Sequence, residues 1–60
     1  MEGDQEYFRR RAGEEREAAM KAGHPGARQS HLELAQRYTE LADAIAMHAR
    51  LPRLDGVINA

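Results

Sequence analysis

From His31 to His48 the chain carries an uninterrupted seven-residue repeat, with His31, Leu34, Tyr38, Leu41, Ile45 and His48 at alternating spacings of three and four. Only an α-helix brings such positions onto one narrow stripe. Ala35, Ala42 and Ala49 run beside that stripe, one per repeat, and a row of small side chains lets a second helix approach closely. The repeat therefore demands a partner helix.

A partner lies upstream in the same chain. Phe8, Ala12, Glu15, Ala19 and Ala22 share one face of a helix predicted over 5–22, with Tyr7 alongside. Asp4 is its expected N-cap, and Glu2, Asp4 and Glu6 sit where the helix dipole favours negative charge. Gly23 is expected to end it in a left-handed backbone, with Lys21 in the favourable last turn. Two starts compete for the second helix: Pro25 suits a first helical position, whereas Ser30 with Glu33 fits a capping box. Ala27, Arg28 and Gln29 are good helix formers and favour the earlier start, giving a helix over 25–51. Pro52 disfavours helix in the residue before it, and 52–60 reads as a non-helical tail in which Leu54, Val57 and Ile58 could cover the end of the longer helix. Gly13 interrupts the first helix at a cost of roughly 1 kcal/mol relative to alanine.

The fold class is thus all-α, one domain over 1–60, built as an antiparallel helical hairpin. A bend near His24 would set Phe8 level with Leu41 and Ala42, Ala12 with Tyr38, and Ala19 with His31. Sixty residues bury a small share of their surface, and with no cysteine neither a disulfide nor a thiolate zinc site can make up the shortfall. Self-association is the remaining route. The expected state is a homodimer, two hairpins forming a four-helix bundle, with Phe8, Leu34, Tyr38, Leu41, Ile45, Met47 and Leu51 as the core and interaction seam. On this reading the chain is a structural or protein-interaction module, acting as a regulatory adaptor through a helix-binding surface.

Glu15 is the anomaly on the core stripe. A buried carboxylate needs partners, and His31 or the Tyr38 hydroxyl is within reach by register, making Glu15, His31 and Tyr38 a candidate polar network. A surface pairing with Arg11 is the other structural option. A metal-binding bundle, with glutamates and histidines from two copies, is the third functional reading, although the Glu-x-x-His pair of two-metal carboxylate bundles is missing around His31 and His48.

Arg9-Arg10-Arg11 beside Tyr7 and Phe8 raises an alternative, an RNA-binding bundle using Tyr7, Arg9, Arg10 and Arg28. Against it, Glu6, Glu14 and Glu15 stand four residues from an arginine, and three consecutive residues spread over about 200° of helix circumference. A net charge of −1 exerts no general pull on nucleic acid. Ser30, the one serine, adjoins His31 in sequence but suits capping better than nucleophilic catalysis. No enzyme motif and no cofactor site is expected. Without a long apolar run or a signal-like start, the expected location is the cytoplasm, away from membranes.

The blocks Tyr7-Phe8-Arg9-Arg10-Arg11-Ala12 with Glu15, and His31-Leu32-Glu33-Leu34-Ala35-Gln36-Arg37-Tyr38 with Leu41, resemble a group of short bacterial two-helix proteins to which no activity is attached. The likeness spans roughly Tyr7 to Leu41. In architecture alone the chain is also similar to the plasmid RNA-regulating Rop proteins, dimeric helical hairpins that bind RNA, without a shared motif.

Overall fold

The two helix-forming tracts fold back on each other as an all-α antiparallel hairpin. The computed structural model describes residues 2–50, and the expectations for Leu51 and for the 52–60 tail lie outside them. Helix α1 spans Asp4–Lys21 and α2 spans Pro25–Arg50.

Both ends of α1 differ from expectation by local detail. Gly3, in extended backbone, is the N-cap and makes no side-chain capping bond, while Asp4 becomes the first helical residue and keeps its charge beside the dipole. At the other end Ala22 turns extended, its N–H donating to the Ala19 carbonyl at 3.3 Å. Gly23 does not adopt a left-handed backbone, because no described residue has positive φ. Instead the chain leaves α1 extended and enters α2 through the restriction that Pro25 imposes on the residue before it. The His24 side chain then caps α2. Its Nδ1 accepts the Gly26 N–H at 2.9 Å, and its carbonyl accepts the Arg28 N–H at 3.0 Å. Ser30 lies within α2, so the capping role assigned to it falls to His24. A Cβ on Gly26 would stand 3.1 Å from His24 Nδ1, so glycine leaves room for the imidazole to reach back.

The connection of Ala22, Gly23 and His24 is tight, and on one edge of the contact the pairs lie about one helical turn from the expected level, whereas Arg9–Asp43 and Arg16–Thr39 on the other edge are displaced the opposite way. Phe8 meets Tyr38 rather than Leu41, with ring centroids 6.0 Å apart and planes at 24°. Glu15 meets His31, the position expected for Ala19.

The centre of the interhelix contact is made of alanine. Ala12, Ala19, Ala35 and Ala42 are buried, Ala42 to 0 % exposure, and among the described residues no large side chain is fully buried. The stripe of α2 that faces α1 is therefore His31, Ala35, Tyr38, Ala42 and Ile45. It shares Tyr38 and Ile45 with the expected seam but takes the alanines in place of Leu34 and Leu41, which are 42 % and 41 % exposed. The reason is symmetric. α1 also presents alanine at a seven-residue interval, and two small-residue rows bring the backbones close, so that larger groups sit at the edges of the contact.

Gly13 faces open space: a Cβ there would meet nothing within 4 Å. Gly13→Ala should accordingly stabilise the hairpin by about 1 kcal/mol, which at this size raises the thermal midpoint by roughly 4–8 °C. Thermal melting followed by circular dichroism checks this; a lower midpoint would mean that the glycine serves a contact.

Candidate functional site

One edge of the alanine contact carries a polar and aromatic cluster. Glu15 projects from α1 between the buried Ala12 and Ala19, so its carboxylate is drawn into the interface, and the side chain is only 10 % exposed. Both oxygens are engaged. His31 Nδ1 lies 2.7 Å from Oε1, and since an ionised carboxylate can only accept, the imidazole donates there. Arg11, one turn earlier on α1, donates from Nη2 to Oε2 at 2.9 Å. Among the described residues no buried side-chain nitrogen or oxygen lacks a partner.

The Tyr38 hydroxyl is not the group that meets Glu15. Tyr38 instead supplies a ring face, with the Arg11 guanidinium carbon 5.2 Å from its centroid on one hand and Phe8 stacked on the other. Arg11 thus ties the Glu15–His31 pair to the Phe8–Tyr38 pair, while its other arm pairs with Glu14.

Hydrogen bonding from His31 holds the Glu15 carboxyl below its ordinary value of 4.5; burial opposes this, and Arg11 adds to the lowering. A carboxyl whose folded pKa is depressed binds its proton more readily in the unfolded chain. Its contribution is complete above the ordinary value and is lost as pH falls through the lower, folded one. Glu14, held down by Arg11 and Arg10, and Glu2, held down by Arg10, act in the same direction from the surface. Thermal stability should therefore decline as pH drops below about 4.5, and Glu15→Gln should flatten that acid limb. Parallel melting profiles for the two proteins across the acid range would show that Glu15 is not the group responsible.

This cluster ties the two helices together at one level of the hairpin, with each oxygen of its carboxylate accepting one hydrogen bond. Among the described residues no three His, Asp or Glu side chains stand together as a metal-ligand set.

The residues considered for nucleic acid are not brought together. Arg9 reaches across to Asp43 of α2 at 3.2 Å. Arg10 is held by Glu2 at 2.9 Å and by Glu14 at 2.8 Å, and its guanidinium lies 5.2 Å from the Tyr7 centroid. Tyr7 in turn packs edge-on against Phe8 at 5.4 Å. Glu2, and not Glu6, is the acidic partner on the N-terminal side. Arg28 stands apart, near the bend, beside Arg16, Met20 and Leu32.

Of the seam residues, Phe8, Tyr38 and Ile45 are half-buried, whereas Leu34, Leu41 and Met47 are exposed. Sequence reasoning missed the His24 cap, which Pro25 at a first helical position signals, since the residue before it must then be the cap. It also missed the Arg16–Thr39 tie, 2.7 Å between the helices, for which the sequence holds no signal. No described helix is long and apolar enough to cross a membrane. No protein-family model, curated protein or solved structure matches the chain.

Proposed function

We propose that the chain is a helical interaction module that pairs with a second copy of itself through the leucine row of α2. The observation that carries this reading is the division of labour on α2. Alanines take the intramolecular contact, and the larger apolar residues Leu34 and Leu41 are left at the surface. On an α-helix Leu34 lies about 100° from Ala35, with Tyr38 between the two rows, so one face can serve α1 while the next serves another chain. A core of four alanines supplies little apolar burial for a domain of this size, and covering the leucines would add what is lacking. Two hairpins joined this way make an antiparallel four-helix bundle. A regulatory adaptor, which presents helical surfaces and performs no chemistry, is the role that suits such a module.

The RNA reading gains nothing from the geometry, because Arg9 and Arg10 are neutralised by carboxylates and Arg28 is remote from them. Sedimentation velocity over a range of concentrations tests the proposal. The expected result is a mass that moves from one chain to two as concentration rises. A folded protein that sediments as one chain throughout would overturn it.

A further inference from the structure

The flank of the hairpin opposite the leucine row has a different chemistry. Arg16, Ala19 and Met20 of α1 and Arg28 and Leu32 of α2 line an open groove of ≈ 530 Å³. Met20 is 83 % exposed, the most of any large apolar residue on the described surface, and Leu32 beside it is also exposed. The lining holds two guanidinium groups and no carboxylate.

Elsewhere arginines have carboxylates around them. Arg9, Arg10 and Arg11 are each met by an aspartate or glutamate, and Arg37 lines a shallow hollow together with Glu33 and Glu40. Among the described residues, neither Arg16 nor Arg28 forms an ion pair, and Arg16 spends its one side-chain bond on the neutral Thr39 hydroxyl. Arg28 also stands in the first turns of α2, where the helix dipole is positive and no acidic residue offsets it. The result is an apolar strip bordered by uncompensated positive charge on a molecule whose net charge is −1.

We propose that this groove docks an acidic amphipathic helix of a partner protein, with an apolar side chain seated between Met20 and Leu32 and carboxylates paired with Arg16 and Arg28. Both halves of the recognition are required. Methionine and leucine supply an adaptable apolar seat, and the arginines select carboxylates. A phosphate polymer fits less well: the two cations are separated by apolar groups, and no aromatic ring in the lining could stack a base. The groove is independent of the self-association face. Leu32 and Leu34 are two residues apart and hence about 160° apart around α2.

The test uses the full chain and a labelled synthetic helical peptide of about 15 residues, with leucines at i and i+4 flanked by glutamates. A second peptide carries glutamine in place of glutamate. The expected result is that the acidic peptide raises fluorescence anisotropy and moves the Met20 methyl resonance while leaving that of Met47 in place. Binding should weaken at least about tenfold for the glutamine peptide, for Arg16→Gln/Arg28→Gln and for Met20→Ala. It should also weaken as salt rises from about 50 to about 200 mM. Met20→Ala alters a side chain that is almost wholly in solvent, so its loss of binding cannot be attributed to unfolding, and circular dichroism confirms that.

Equal binding of the two peptides, an unmoved Met20 resonance, or no binding at millimolar concentration would each overturn the proposal. Displacement of the peptide by single-stranded RNA homopolymer would overturn it in favour of a nucleic-acid site. Loss of self-association in Arg16→Gln/Arg28→Gln would overturn it by making the groove the contact between copies. A chain that sediments alone yet binds the acidic peptide keeps this inference and removes the one above.

Discussion

Ala42→Leu should strongly lower the thermal midpoint of the hairpin, whereas Ala44→Leu, two residues further along the same helix, should leave it unchanged. Ala42 has no exposed surface and sits where two rows of alanine bring the helices close, while Ala44 faces solvent. Extra methylenes in a site without free volume force the backbones apart or the side chain out of its rotamer, at about 1–3 kcal/mol. A chain of 60 residues has a total stability of roughly 3–9 kcal/mol, so one such change removes a large part of it. The damage would also spread. Separating the helices lengthens the Glu15–His31 and Arg16–Thr39 contacts, which depend on the same spacing. Thermal melts of the two variants decide the matter. Equal midpoints would mean that the alanine contact does not hold the molecule together.

Leu34→Asp/Leu41→Asp should have the opposite profile, a hairpin that stays helical but no longer pairs. Each leucine is more than two-fifths exposed in the single chain, so covering it in a dimer is worth about 1 kcal/mol, roughly half of full burial. A symmetric pair loses two from each copy, about 4 kcal/mol in all, which is roughly a thousandfold in Kd before repulsion between the new charges is counted. Sedimentation shows the mass and circular dichroism the helix content. A variant that keeps the mass of the native protein would locate association elsewhere; one that loses its helix would place these leucines in the fold itself.

The pair of expectations marks where the sequence was informative. Helix type, the bend and the start at Pro25 follow from local chemistry: apolar periodicity, the conformational limits around proline, and the distribution of charge at helix ends. Glu15 and His31 could be paired from register because a carboxylate on a core stripe must find a donor. The choice between Leu34–Leu41 and Ala35–Ala42 was another matter. Both rows obey the same seven-residue spacing around His31, Tyr38 and Ile45, and hydrophobicity favours leucine. What decides is the size of the residues on the other helix, a property of two segments at once. Ala12 and Ala19 answer Ala35 and Ala42, and that correspondence is visible only when the two rows are set side by side. The exact level of each pair was likewise out of reach: Phe8–Tyr38 and Glu15–His31 fall on one side of the expected level, and Arg9–Asp43 and Arg16–Thr39 on the other, an offset between the two edges that neither helix encodes alone. The position of the cap at His24 follows from Pro25, but that its imidazole does the capping depends on the ring's orientation, which the sequence does not carry.

The unequal legs of the hairpin, 18 residues against 26, give its two ends different fates. Near the bend both helices are tied by a short connection and a capped terminus, so melting cannot begin there without breaking several contacts together. At the open end α2 runs on for about 12 Å beyond the start of α1. Among the described residues its last turns there have no partner from α1 to lean on, and an isolated stretch of two turns has little helical stability of its own. Fraying should therefore enter the molecule from one side only and travel toward His24, and anything that clasps the long leg would slow the loss of order along the whole rod.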